Sequence, residues 1–252
     1  MVLSLSLGTV LVLVVLTPPN CGTSMASGAE PSNLRNSGGK CQISFGSFKG
    51  HHYSSKESGT IGTPKCLVES KWLRISKHSV RLPGTHNTID DWLWIDYHDR
   101  INVLVEDEKK PGEERQFLVF EQSKYALEGK KSLAIIGGII EPGEDPVAAA
   151  RREVEEEMKL RCKNFHFLGR YRTDVNRGMG WLNSFLATNC SRDPKYKHVA
   201  NENDVGKPDT ERQDMKRISL SQLRKAARGG RFLEVQWSAT VALALQHEEM
   251  MI

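Results

Sequence analysis

The sequence predicts an α+β fold with a mixed sheet. Three observations predict it. Short alternating or apolar runs dominate residues 66–188, one long helical stretch (Val147 to Met158) interrupts them, and two further helix starts close the chain. At 252 residues the chain holds one domain of ordinary size plus tails. Hydrophobic and charged fractions of 38% and 26% are those of a soluble globular protein, and no internal repeat is present.

From Cys66 onward, Lys71 to Ser76 alternates, Ser79 to Leu82 alternates again, and Pro83-Gly84 makes a turn. Trp92 to Tyr97 is a third strand candidate. Ile101 to Val105 and Phe117 to Phe120 are apolar runs joined by Lys109 to Glu114, which reads as a hairpin loop. Leu133 to Ile136 runs into a glycine-rich turn, Gly137 to Glu144. Asp145 is a good N-cap and Pro146 suits the first helical position, where a missing N–H costs nothing. Phe165 to Tyr171 and Trp181 to Thr188 read as strands around a turn at Asn176 to Gly180. Residues 189–209 read as polar and irregular. Ser219 caps a helix from Leu220, and another begins at Ser238.

The N-terminal part has a different texture. Val2 to Leu16 is almost unbroken apolar, too short for a membrane span of about 20 residues. It fits a signal peptide over 1–26, with Ala26 or Ala29 before a cut, although no charged residue precedes it. Residues 27–65 are Ser- and Gly-rich and poor in acids, and read as a disordered or processed leader. The same composition also fits a two-part organelle address; otherwise the chain is cytoplasmic. The folded domain is therefore placed at 66–252.

Net charge is +4, but residues 1–65 carry five basic and two acidic residues, leaving 30 against 29 for the remainder. A nearly neutral body argues against a dedicated nucleic-acid surface. The five cysteines form no CxxC pair, and an odd, scattered set is not a disulfide framework, though one or two bridges fit an exported chain. Asn189-Cys190-Ser191 is an N-glycosylation sequon, meaningful only in the secretory pathway.

Chemistry concentrates on the central helix. Glu153, Glu156 and Glu157 stand at i, i+3 and i+4, so their carboxylates share one face within about 5–6 Å. By itself such a run is most often a solvated acidic face. The spacing around it changes that reading: Gly138, five residues, Glu144, seven residues, Arg152-Glu153-Val154, one residue, Glu156-Glu157, one residue, Lys159-Leu160. This resembles the signature of the Nudix hydrolases at every position but one, where Lys159 replaces glycine.

The resemblance implies a Nudix-type α/β/α sandwich and a hydrolase that cleaves a nucleoside diphosphate derivative with Mg2+ (or Mn2+). It implies Glu153, Glu156, Glu157 and the Gly137 carbonyl as metal ligands, with Arg152 turned away from the metal to tie the helix to Glu144. Residues Lys71-Trp72, Trp92 and Glu121 to Lys124 look like the ADP-ribose and ADP-sugar pyrophosphatase branch. There Trp72 and Trp92 would stack on adenine, often across a homodimer, and Lys124 would contact the diphosphate. Trp94 competes with Trp92, since alternation puts both on one face. Both tryptophans are equally readable as core or interface residues.

Lys124 stands where the branch has arginine, and Val175-Asn176 where it tends to have proline, so an ADP-sugar is as credible as ADP-ribose. The resemblance makes the catalytic base either a motif glutamate or a late-loop acid among Glu202, Asp204, Asp209 and Glu211, with Glu211 placed before a helix as the branch's loop acid is. The rival from a different class is a Nudix-like nucleotide-binding module without turnover.

Overall fold

The computed structural model describes residues 40–250 except 56, 58, 109–110 and 197–212. Its strands are β1 (Ile43–Ser44), β2 (Thr60–Glu69), β3 (Leu73–Arg81), β4 (Thr88–Tyr97), β5 (Arg100–Glu106), β6 (Gln116–Gln122), β7 (Ser132–Ala134), β8 (Ile136–Ile139), β9 (Leu160–Asp174), β10 (Gly178–Arg192) and β11 (Gln213–Ser219). The helices are α1 (Pro146–Met158), α2 (Leu220–Arg228) and α3 (Val235–Met250). The sheet runs β1-β2-β3-β4-β10-β5-β6-β11, with β7 on β6, β8 on β5 and β9 on β10. It is mixed: β10 lies parallel to β5, while β9–β10, β5–β6 and β6–β11 are antiparallel.

Helices cover both faces, which makes the α/β/α sandwich. On one face Ile101, Val103 and Val105 of β5 pack with Ala149, Ala150 and Val154 of α1. On the other, Leu104 of the same strand packs with Leu223 of α2 and Val241 of α3. A strand buried on both sides needs a continuous apolar run, which is why Ile101 to Val105 carries no clean alternation apart from Asn102.

Three expectations change. The two alternating stretches between Lys71 and Leu82 are one strand, β3, with a register shift near Ser79. Gly137 and Gly138 belong to strand β8 opposite Asn102 and Ile101, and the turn falls later, at Glu141 to Glu144. The third change concerns the leader. Residues 40–65, expected outside the fold, belong to it. Cys41 is disulfide-bonded to Cys66, β2 begins at Thr60, and Asp96 of β4 takes hydrogen bonds from the Tyr53 and Ser54 amides. Composition hid this because the segment contributes few apolar side chains and is held by polar contacts. A second disulfide joins Cys162 and Cys190, directly paired across β9 and β10. Residues 1–39, and with them the proposed signal peptide and Cys21, lie outside the described residues. No helix among the described residues is long and apolar enough to cross a membrane.

Candidate active site

Helix α1 begins as its sequence dictates. Asp145 accepts from the amides of Val147 and Ala148, at 2.8 and 3.2 Å, and Pro146 opens the first turn. Ala149, Ala150, Val154 and Met158 form its buried stripe. That stripe fixes the rotation of the helix, and so fixes where the remaining side chains project.

Arg152 is the hub of the site. Its Nε and Nη2 donate to the two Glu144 carboxylate oxygens at 2.9 and 3.1 Å, Nη2 also donates to the Ile139 carbonyl at 3.0 Å, and Nη1 donates to Glu153 at 2.7 Å. One guanidinium thus ties the helix to the end of β8 and to the turn that follows. The Glu144 carboxylate in turn accepts from the Glu141 amide at 3.0 Å, closing the turn. The Arg152 hydrogen bond holds the Glu144 carboxyl below the usual range, and the same bond pushes the Arg152 pKa up.

Glu153 behaves oppositely. Burial raises its carboxyl pKa despite the Arg152 contact, and its side chain is 13% exposed. The carboxyl sits directly over Gly138: a Cβ added to that glycine would lie 2.2 Å from Glu153 Oε1. This cradle explains the glycine, whose need here is space for the carboxylate and not a special φ. Glu156 lies 3.8 Å from Arg152 Nη1, and Glu157 is half-buried with a partner of its own.

The donor set suits a hard divalent cation, since it consists of carboxylate oxygens. The Glu153 and Glu156 carboxylates are turned toward Arg152, which was expected to face away from them, and no group of three acidic, His or Cys side chains among the described residues converges as a ready metal cluster.

Lys159, where glycine was expected, is the C-cap of α1 with φ 56°, a left-handed conformation. Its amine donates to the Glu156 carbonyl and stands 5.1 Å over the Tyr196 ring, while its own carbonyl takes the Asp193 amide at 3.1 Å. The tether offsets the strain that a Cβ meets in this region. Lys159→Ala removes the tether and keeps the Cβ, whereas Lys159→Gly removes both. The alanine variant should therefore be less stable than the glycine variant by about 1 kcal/mol. Thermal unfolding of the pair checks this, and the reverse order would rule out a left-handed backbone at 159.

The other expected contacts are dispersed. Trp72, 54% exposed, is in the β2–β3 turn under the Lys71 amine. Trp92 of β4 donates its indole N–H to the Asn176 carbonyl at 3.0 Å and carries the Arg177 guanidinium 4.3 Å above its ring. Trp94 shares its face, with ring centroids 6.3 Å apart, and is buried. Since Leu73 pairs with Tyr97 and His78 with Trp92, Trp72 and Trp92 stand about six residues, or roughly 20 Å, apart along the hairpin. They do not meet on one ring within one chain. Lys124, half-buried and partnered, precedes a short 3₁₀ turn over Tyr125–Leu127. Glu202, Asp204, Asp209 and Glu211 lie outside the described residues.

One cluster beside the site escaped the sequence reading. The Asp99 carbonyl accepts the Ile140 amide at 2.9 Å, one residue from the Arg152 clamp. The Asp99 carboxylate accepts from Tyr53 Oη, from the Trp181 amide at 2.9 Å, and from Arg170 Nη2 at 3.1 Å. Arg172 stacks over Tyr53 and donates to Glu57 at 2.9 Å. Burial, then the Asp99 contact, drives the Tyr53 phenol pKa up. Arg170 and Arg172 at i, i+2 on one strand face, next to Trp181, were the visible signal. Tyr53 had none, having been assigned to the leader.

A family model described as NUDIX domain matches residues 96–235. Among solved structures, one described as "Crystal structure of ADP compounds hydrolase" is similar in fold, with a TM-score of 0.56 and 14% identity, over 77% of this chain and 98% of that one. Comparison with curated protein sequences gives no match.

Proposed function

This chain belongs to the Nudix family, and on that premise we propose that it hydrolyses the diphosphate bond of a nucleoside diphosphate linked to a second group, with ADP-ribose or an ADP-sugar as the substrate class. The observation that carries the reading is the Glu153 carboxylate seated over Gly138 and locked by Arg152 to Glu144 and Ile139. A solvated acidic face has no use for that lock. The choice of an adenosine compound is supported by the description of the similar structure as an ADP compounds hydrolase.

Glu153, Glu156, Glu157 and the Gly137 carbonyl would hold Mg2+, or Mn2+, which neutralises diphosphate charge and makes a bound water more acidic. Arg152 keeps α1 at fixed height above β8, so the carboxylates stay in register with the glycine strand. Glu144 closes the turn and balances the guanidinium charge. The base is one of the motif glutamates or Glu211. Trp72 and Trp92 serve one adenine only if a second copy supplies one of them, so this role carries a homodimer with it. The two disulfides support an oxidising compartment for the mature chain, and sequencing its N-terminus tests that: a start at Met1 overturns a cleaved leader.

The test of the activity is incubation of the full chain with magnesium and ADP-ribose, ADP-glucose, GDP-mannose and NADH. Turnover of an ADP derivative is expected, and turnover of none overturns the proposal. A sharper check is Gly138→Ala. The added Cβ meets only Glu153 side-chain atoms and no backbone, so the carboxylate must leave its seat and its Arg152 contact, which should cost about 1–3 kcal/mol of stability while activity drops at least tenfold. Full activity in this variant would disprove the importance of the seat.

A further inference from the structure

Arg170 is rooted on β9, two strands beyond β5. The register puts Gly138 opposite Ile101, Ile101 beside Asn183, and Asn183 opposite Arg170, so the four residues form one row across the sheet. Three strand spacings of about 4.8 Å separate its ends, roughly 14 Å. Paired residues share a face, and Ile101 faces α1. The Arg170 side chain therefore rises on the face that carries the acidic helix.

It does not stand upright there. It leans across β10, with Cζ 4.5 Å over the Trp181 ring, and reaches Asp99, donating from Nη2 at 3.1 Å. Asp99 is also the residue whose carbonyl holds the Ile140 amide. The guanidinium thus ends close to the Gly138–Ile140 segment, having started three strands away. Stacking and the Asp99 contact fix its plane, while 48% of the side chain remains exposed and Nε and Nη1 have no protein partner among the described residues.

Arg172, two residues on, is different. Only 13% of its side chain is exposed, its ring stacking is on both Tyr53 and Trp181, and it is paired with Glu57. It braces the 53–57 segment. Arg172 Nη1 also lacks a partner but is buried, so Arg170 is the cation of the pair whose remaining donors are exposed.

We propose that Arg170 binds the phosphates of the substrate, its Nη1–H groups, which have no protein partner among the described residues, donating to a phosphate oxygen on the sheet face of the acidic helix. This rests on the nucleoside diphosphate reading above and adds a residue to it. A guanidinium already held by Asp99 and Trp181 loses little entropy on binding, and its stacked plane fixes the direction of the remaining donors, which a flexible lysine ammonium cannot do.

The test is metal-free titration of the full-length wild type, Arg170→Ala and Arg170→Lys with ADP and with adenosine, followed by calorimetry, alongside thermal unfolding. Wild type should bind ADP more tightly than adenosine. Arg170→Ala should weaken ADP at least tenfold and leave adenosine unchanged, and Arg170→Lys should recover only part of the loss. Asp99 keeps its Tyr53 and Trp181 donors in both variants, so both should fold with midpoints near wild type. Unchanged ADP affinity in Arg170→Ala overturns the inference, as does full recovery by lysine or a fall in midpoint with no change in affinity. No turnover is read, so failure here leaves hydrolysis by the wild type standing. Wild type that neither binds ADP nor hydrolyses an ADP derivative removes both readings.

Discussion

Glu157→Gln is expected to lower kcat on an ADP derivative by at least about 100-fold, the scale seen when a charge-stabilising group is lost from an active site. The substitution keeps shape and hydrogen-bonding capacity and removes one charge. Glu157 is half-buried on α1, one turn from Glu153 and beside Glu156, and relieving that like-charge pairing returns about 0.2–0.5 kcal/mol. Stability should therefore hold or rise slightly while the rate collapses. Steady-state kinetics with magnesium, paired with a melting curve, reads both. A variant with wild-type kcat would remove the acidic helix from the chemistry. A variant that melts far below wild type would recast Glu157 as structural.

The second large effect concerns residues 40–65. Asp96 is 1% exposed and accepts from the Tyr53 amide at 2.7 Å, the Ser54 amide at 3.1 Å, Ser54 Oγ at 3.2 Å and, at 3.3 Å, pairs with His52 Nδ1. A chain beginning at Cys66 loses every one of these partners and leaves a buried charge uncompensated, which costs about 3–5 kcal/mol. It also strips Tyr53 from Asp99 and the disulfide partner from Cys66. At roughly 2–4 °C per kcal/mol for a domain of this size, its melting midpoint should fall by about 10 °C or more. Asp96→Asn within the shortened chain should restore part of the loss, because it removes the charge. A chain starting at Cys66 that melts like the full chain would show that the 40–65 segment only rests on the surface.

Where the sequence predicted well, local chemistry decided the outcome. Asp145 and Pro146 define the start of α1, and Ser219 caps α2 in a capping box with Gln222, because caps depend on neighbours in the chain. The Arg152–Glu144 tie follows from a spacing shared across a family. What was illegible depends on distant partners. Tyr53 and Asp99 meet across 46 positions, and neither has a local signature. Strand β11 was passed over because its outward residues, such as Lys216 and Arg217, dilute an alternation that only pairing with β6 makes visible. Gly137 and Gly138 read as a turn because glycine usually marks one. In the fold they make room: Gly138 for Glu153, and Gly137 for Asn102, whose Oδ1 would lie 3.0 Å from an added Cβ.

The two disulfides have a consequence on the unfolded side of the equilibrium. Cys41–Cys66 and Cys162–Cys190 close loops of 25 and 28 positions. In the chain-entropy description each restricts the denatured ensemble by about 3.5 kcal/mol. The pair together, about 7 kcal/mol, is as large as the whole margin of about 5–15 kcal/mol by which a domain typically holds its fold. Much of the margin therefore comes from states that the native contacts never touch. The bridge within the β9–β10 hairpin illustrates it, since that hairpin is already zipped from Leu160 to Asp174. A thiol reductant would leave the native hydrogen bonds in place and free the unfolded chain to expand.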